Sequence, residues 1–182
     1  YFSTSQAPGS LGNAHPNIVP YQTFKTADGA LILACGNDNL FNKFCEVAQC
    51  THLAQDPQFS TNGARVNNRV EITQLLGEIF IQKTTKEWVR LLDEAGVANG
   101  PINSIKEVFE EPQVQARGMQ IELPHAVAGK VTLVGSPMKF SQTPIVHEMP
   151  PPALGQHTQE ILRSVLKKSD VEIVALQTAG II

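Results

Sequence analysis

Two short polar stretches contain the residues whose types could do chemistry. Asn13 and His15 lie in a segment rich in Gly, Asn and Pro that precedes a strand-like run, and irregular loops in such places often carry function. Asn37, Asp38 and Asn39 follow a second apolar run, where side-chain amides and a helix N-terminus could hold an anion. Simpler interpretations stay open: His15 packs against the domain beneath it, and Asn37 or Asp38 only caps a helix.

The cysteines and the remaining histidines indicate no metal site. Cys35, Cys45 and Cys50 form an odd set whose spacing matches no zinc motif. A redox or metal role is the alternative to the reduced, partly buried thiols that we expect. No i, i+4 spacing joins the other histidines, which are His52, His125, His147 and His157. No Ser or Cys lies in a nucleophile elbow, so the residues form no self-sufficient catalytic group.

Composition excludes several classes of function. Of the 182 residues 17% are charged, below the usual quarter, which indicates surface normally covered by another domain or subunit. A net charge of −3 gives no electrostatic signature for nucleic acid, and no apolar run is long enough to span a membrane. The sequence begins at Tyr1 and shows no initiating Met, no basic region and no apolar region of the kind a signal peptide has. We therefore expect no signal peptide, an interior position for Tyr1 in a longer polypeptide, and a cytoplasmic location.

A β-hairpin is predicted over residues 21–34. Asp28-Gly29 is a strong turn signal between two strand-like runs. The second run, residues 30–35, is continuously apolar, as is typical of a strand buried on both faces. A short helix with Phe41 and Phe44 on its apolar face follows. A longer helix then runs through residues 66–80, with Arg65 and Arg69 mainly on its polar side.

Three capping boxes mark helix starts in the rest of the chain. They are the pairs Thr84 and Glu87, Ser104 and Glu107, and Ser169 and Glu172. Residues 97–102 are predicted as a tight connector. Residues 119–123 and 130–134 are predicted as strands, and residues 158–167 and 170–178 as helices.

These elements predict an α+β fold with a small, mostly antiparallel sheet and flanking helices. Residues 1–20 are predicted to be a linker from a missing N-terminal domain, and residues 21–143 the small domain itself. Prolines at 144 and 150–152 mark a stiff linker over residues 144–153. Residues 154–182 are too few to hold a core, so we expect their helices to pack on a domain outside this chain.

The ordered motifs resemble class III CoA-transferases, the family of formyl-CoA transferase, carnitine CoA-transferase (CaiB/BaiF) and α-methylacyl-CoA racemase. The resemblance covers essentially the whole chain, and the residues of its motifs are most similar to those of the succinyl-CoA-dependent dicarboxylate CoA-transferases. The matching residues are Gly12-Asn13-Ala14-His15-Pro16, Pro20-Tyr21, Asp28-Gly29, Asp56-Pro57-Gln58-Phe59, Arg65-Val66-Asn67-Asn68-Arg69, Glu87-Trp88, Ala95-Gly96-Val97, Gly100-Pro101-Ile102, Glu111-Pro112-Gln113, Arg117-Gly118, Ser136-Pro137, Phe140-Ser141 and Pro152-Ala153-Leu154-Gly155-Gln156-His157-Thr158.

The resemblance implies a large Rossmann-like α/β domain, a small domain inserted through two linkers, and two interlocked subunits. The family nucleophile is an aspartate of the N-terminal portion. It attacks an acyl-CoA thioester to give an anhydride, and CoA thiolate then forms an enzyme thioester that the acceptor carboxylate attacks. No aspartate here corresponds to it, so the resemblance implies that this chain is an inactive C-terminal fragment with no catalytic residue of its own.

The resemblance also indicates the substrates and where they bind. Acyl-CoA and a carboxylic acid are the expected substrates, with no metal and no nucleic-acid or membrane partner. Asn13, His15 and Asn37 are expected to line the acyl or CoA pocket. A glycine-rich flap is not expected, because residues 12–16 are not a run of glycines. Two alternatives stay open: an acyl-CoA racemase of the same family, and a non-catalytic binding or assembly module.

Overall fold

A computed structural model describes residues 1–2, 5–7 and 9–182 of the chain, which divides into two units, Tyr1–Ile102 and Asn103–Ile182. The predicted linker over residues 1–20 lies partly outside the described residues. The division falls inside the small domain predicted for residues 21–143. The predicted domain bounds therefore stay a prediction.

Unit 1 contains a three-stranded antiparallel sheet in the order β1 (Tyr21–Lys25), β2 (Ala30–Ala34) and β3 (Ala98–Pro101). The predicted hairpin is confirmed, with Thr26 N–H donating to the Gly29 carbonyl across the turn at 3.0 Å. The predicted connector over residues 97–102 is wrong, because four of its residues pair with β2 as β3.

Strand β2 is buried on one face rather than on both. Leu31 and Leu33 are fully buried, while Ile32 and the two flanking alanines are only half-buried. The run is apolar throughout, yet the core covers only the side chains that alternate toward it. The expected burial of both faces is therefore wrong within this unit.

The helices of unit 1 supply the rest of its core. They are α1 (Asp38–Val47), α2 (Thr51–Gln55), α3 (Asn62–Asn67), α4 (Arg69–Phe80) and α5 (Thr85–Glu94). Phe80 lies at the centre, with its ring centroid 4.8 Å from that of Phe24 and 4.9 Å from that of Trp88. The Trp88 indole N–H donates to the Phe80 carbonyl at 2.8 Å, so this buried polar group keeps a partner.

The long helix predicted through residues 66–80 is two helices, because the backbone breaks at Asn68. This residue has φ −105° and ψ 30°, outside helical values. Its side-chain amide donates to the Ala64 carbonyl one turn back and to the Gln58 carbonyl, both at 3.1 Å. Asparagine competes with the helix in this way through its own side chain, and the break separates α3 from α4.

Unit 2 begins with the short helices α6 (Ile105–Glu110) and α7 (Pro112–Ala116). An antiparallel pair follows, β4 (Gln120–His125) and β5 (Gly129–Val134), and then α8 (Thr158–Ser164) and α9 (Asp170–Thr178). The strands of the described residues thus form two separate sheets, and all their pairings are antiparallel. The predicted α+β class with flanking helices is confirmed.

Local capping signals were predicted well in both units. The three capping boxes form as expected, at Ser104 for α6, at Ser169 for α9 and at Thr84 for α5. Helix α8 ends at Ser164, three residues before its predicted end. Apolar side chains of α8 and α9 are exposed, including Ile161 at 50%, Val171 at 81% and Val174 at 58%, so these helices present apolar surface.

Candidate functional site

The connecting loop, residues 12–20, runs without regular structure into β1. Its first half is pinned to the sheet, because Asn13 Oδ1 accepts the Thr23 N–H at 3.0 Å and the His15 N–H donates to the Tyr21 carbonyl at 2.9 Å. Its last residue is held as well, since the Cys35 N–H donates to the Pro20 carbonyl at 2.9 Å. The loop is therefore attached to the hairpin at both ends.

Three side chains of α3 and α4 grip the middle of the connecting loop. Asn62 accepts the Val19 N–H at 3.1 Å and donates to the Asn17 carbonyl at 2.8 Å. Arg69 donates from Nη1 to the His15 carbonyl at 3.0 Å and from Nη2 to the Pro16 carbonyl at 2.7 Å. Each of these four hydrogen bonds is to the loop backbone rather than to a loop side chain.

Arg65 is the third of these side chains, and it is fully buried. Its Nε donates to the Val19 carbonyl at 2.6 Å, its Nη1 to the Phe59 carbonyl at 2.7 Å, and its Nη2 to Asp38 at 2.8 Å. The guanidinium carbon lies 4.2 Å from the centre of the Phe41 ring. A buried cation is tolerated when it is paired and hydrogen-bonded in this way.

An open cleft of about 520 Å³ lies where the connecting loop meets β1 and α4. This volume is within the range of small-molecule sites. Its lining comes from three segments of unit 1, which supply Leu11, Gly12, Asn13, Ala14, Gln22, Thr23, Arg69, Val70, Thr73 and Gln74. The cleft is thus built by the same contacts that fix the loop.

Only one of the three predicted pocket residues lines this cleft. Asn13 does so, with its amide nitrogen unbonded to any other described residue. His15 stacks on Tyr21, with centroids 5.3 Å apart and planes 10° from parallel, and its Nδ1 accepts the Asn17 N–H at 3.1 Å. Asn37 caps α1 by accepting the Leu40 N–H at 2.9 Å. Pocket roles for all three stay predictions, and the cleft supports that of Asn13.

The three cysteines are buried and free. Helix α1 ends in a Schellman motif, with Gln49 at φ +56° and the Cys50 N–H donating to the Cys45 carbonyl at 2.8 Å, and this motif brings those two side chains together. Burial raises the pKa of Cys35 to about 12. The hydrogen bond with Cys50, and then burial, raise the pKa of Cys45. The same hydrogen bond lowers the pKa of Cys50. Cys35 and Cys45, held neutral in this way, are poor nucleophiles.

No group of three His, Cys, Asp or Glu side chains among the described residues could hold a metal ion. No helix in the described part of the chain is long and apolar enough to cross a membrane.

The sequence pointed to the loop but not to the side chains that hold it. Arg65 and Arg69 were assigned to the polar side of a surface helix, and for Arg65 this is wrong because it is fully buried. The signal that could have found them is their spacing with Asn62. Asn62 and Arg65 lie three residues apart on α3, and Arg69 follows four residues later as the first residue of α4. All three side chains bind the loop backbone.

The structure is thus of the α+β class and presents an open cleft beside an anchored loop. Residues 1–158 match the model of CoA-transferase family III. The chain therefore belongs to CoA-transferase family III, and the resemblance described above is confirmed.

Named relatives and a solved structure agree with this assignment. Succinyl-CoA:glutarate CoA-transferase of Homo sapiens is 40% identical over 94% of this chain and 39% of its own length. Succinate–glutarate CoA-transferase of Agrobacterium fabrum is 40% identical over 89% of this chain and 40% of its length. A CaiB/BaiF family protein from Brucella suis matches with a TM-score of 0.76 and 40% identity, over 88% of this chain and 41% of that one. The chain thus spans about two-fifths of these relatives.

Proposed function

We propose that this chain is the C-terminal portion of a CoA-transferase that moves CoA from an acyl-CoA to a carboxylic acid. The observation that carries the proposal is the match along nearly the whole chain to relatives named for succinyl-CoA and glutarate. Dicarboxylates are accordingly the proposed acceptors, and succinyl-CoA the proposed donor. The anchored loop and its cleft are the parts of this chain that would contact them.

The proposed chemistry divides a difficult acyl transfer into easier covalent steps. An aspartate outside residues 1–182 attacks the donor thioester, which gives an acyl-aspartyl anhydride and releases CoA thiolate. The thiolate attacks the aspartyl carbonyl, which gives an aspartyl thioester and frees the donor acid. The acceptor carboxylate then attacks this thioester, which gives a second anhydride and releases CoA thiolate again. The thiolate attacks the acceptor carbonyl of this anhydride, which forms the product acyl-CoA and frees the aspartate. In this scheme residues 1–182 bind and orient substrate and supply no nucleophile.

The test uses the whole protein that contains this chain. We expect it to convert succinyl-CoA and glutarate into glutaryl-CoA and succinate, followed by chromatography of the CoA esters against a panel of carboxylates. Hydroxylamine added during turnover should trap the aspartyl thioester as a hydroxamate, and peptide mass spectrometry should place it outside this chain. Absence of CoA exchange with every acceptor would sink the proposal, and a hydroxamate within residues 1–182 would refute the assignment of the nucleophile.

The same reaction run in D₂O separates a transferase from a racemase. A transferase leaves the α-hydrogens of the acyl group unexchanged, whereas a racemase incorporates deuterium at the α-carbon of a branched acyl-CoA. Mass spectrometry of the recovered acyl-CoA gives the answer. We also propose a homodimer for the whole protein, which light scattering would measure, and a cytoplasmic location stays a prediction.

A further inference from the structure

One cation lines the cleft without a carboxylate to pair with. Among the described residues that line it, Arg69 alone is charged. The side chain is half-buried, and within the described part of the chain it forms no salt bridge, whereas seven other pairs do. A half-buried cation without a counter-ion favours the binding of an anion.

The hydrogen bonds of Arg69 leave capacity for a ligand. A guanidinium carries five N–H donors. The connecting loop takes one from Nη1 and one from Nη2, through the carbonyls of His15 and Pro16. The other N–H groups have no acceptor among the described residues. The two loop contacts also hold the planar group in one orientation, which reduces the entropy that a ligand must overcome.

Other polar groups of the cleft could contact the same ligand. Asn13 lines the cleft, and its amide nitrogen has no hydrogen-bond partner among the described residues. Thr73 lies one helical turn after Arg69 on α4, and its buried hydroxyl oxygen has no hydrogen-bond partner in the described structure. Val70, 82% exposed, adds an apolar wall. A cation, two neutral polar groups and an apolar wall suit a carboxylate or phosphate carried on a carbon chain.

We propose that Arg69, assisted by Asn13, binds an anionic group of the substrate in this cleft. The inference rests on the proposed function, which supplies two sources of such a group: the distal carboxylate of a dicarboxylate acceptor and the phosphates of CoA. Arg69 is then a specificity-determining residue, because an acceptor or donor without the anion forfeits a charge-assisted hydrogen bond.

The experiment compares substrates with and without the anion in the whole enzyme. The acceptor arm uses glutarate and glutaramate, in which a neutral amide replaces the distal carboxylate. The donor arm uses succinyl-CoA and succinyl-pantetheine, which lacks every phosphate. Each pair is measured as a ratio of kcat/KM in wild type, Arg69→Gln and Arg69→Lys. Working with ratios cancels any loss that falls on both substrates equally.

Two control variants separate anion binding from loop support. Asn62→Ala removes two other contacts to the connecting loop. Because Asn62 does not line the cleft, this substitution should lower kcat/KM equally for both substrates of a pair. Arg90→Gln removes an exposed arginine paired with Glu94 on α5 and should leave all values unchanged.

The expected result is a fall of about 10- to 100-fold in one ratio for Arg69→Gln, with a smaller fall for Arg69→Lys and none for Asn62→Ala. A fall in the acceptor ratio identifies the carboxylate, and a fall in the donor ratio identifies the phosphates. Wild-type ratios in Arg69→Gln overturn the proposal.

The proposed function can fail separately. If wild type transfers no CoA, titration calorimetry with glutarate and with CoA decides the matter. The site is supported if wild type binds glutarate or CoA and Arg69→Gln binds the same molecule about 10-fold or more weakly. Unchanged or absent binding overturns the proposal.

Discussion

Arg65 shows how one side chain can tie distant parts of unit 1 together. Its guanidinium reaches the connecting loop, the segment before α3 and the first residue of α1, while its plane covers the Phe41 ring. Phe41 and Arg65 are both fully buried. Arg65 contributes to stability mainly because, without it, two carbonyls inside the protein would lose their hydrogen-bond donor.

Replacing Arg65 with leucine should therefore destabilise unit 1 strongly. We expect a loss of about 3 kcal/mol, because the carbonyls of Val19 and Phe59 lose their donor and Asp38 loses its partner. Urea denaturation measures the change. Arg90→Leu, at an exposed arginine, should stay within about 0.5 kcal/mol of wild type. Equal effects of the two substitutions would contradict the role assigned to Arg65.

Sequence reasoning failed at this residue for a physical reason. Arginine is rarely buried without partners, and the partners of Arg65 are mostly backbone carbonyls, which every residue carries and no motif reveals. Asn13 was found more easily, because its position in a Gly- and Pro-rich segment already indicated an irregular loop. The cleft beside Asn13 also depends on α4, which begins at Arg69, 56 residues further along the chain.

Helix α9 shows a capping box whose contribution should depend on pH. Glu172 accepts from Lys168 Nζ at 2.8 Å and from the Ser169 N–H and hydroxyl at 2.9 Å each. The lysine hydrogen bond, followed by those of Ser169, lowers the pKa of Glu172 to about 2. A glutamate in an unfolded chain has a pKa of about 4.3. The stabilisation is thus complete above that pH and is lost as the pH falls toward 2.

Glu172→Gln should accordingly lower the melting temperature near neutral pH, and the difference from wild type should shrink between about pH 4.3 and pH 2. Thermal unfolding followed by circular dichroism at several pH values measures this. Glu148→Gln, in a segment without regular structure, is the matched control and should show no such trend. A difference for Glu172→Gln that is constant across this pH range would argue against the assignment.

Elements specified by neighbouring residues were predicted well, whereas those specified by distant ones were not. Each capping box involves four consecutive residues, so the pattern contains the whole interaction. Strand β3 is Ala98-Asn99-Gly100-Pro101, which has no β-branched residue. It becomes a strand only because β2 offers it a free edge. The break at Asn68 was missed likewise, since apolar periodicity continues across it.

At the scale of the whole molecule, α8 and α9 carry more apolar surface than two short helices can bury between them. Ile161 of α8 and Val171 of α9 are 50% and 81% exposed, while Ile173 is the one residue of α9 that is fully buried. We proposed above that the whole protein is longer than this chain. We propose that its other part covers these side chains.

Hydrogen exchange should detect that cover. We expect the amides of α8 and α9 to exchange more slowly in the whole protein than in residues 1–182 alone, because packing suppresses local opening. Helix α5 is the internal control, since Trp88 and Leu92 are already buried in this chain, and its exchange should match in both. Equal protection of α8 and α9 in the two samples would count against a covering domain.

The way Asn62, Arg65 and Arg69 hold the connecting loop has an evolutionary consequence. They hold residues 15–19 by their amide and carbonyl groups, which stay the same whatever side chains those residues carry. The cleft is lined instead by residues of the preceding stretch, among them Leu11 and Ala14, so substitutions at these two positions can alter what faces the ligand while residues 15–19 keep their course. The loop residues held in this way are therefore different from those that set which ligand the cleft prefers. This separation offers a simple route by which one scaffold could acquire new acids as substrates, and a region where directed libraries would retain folded proteins.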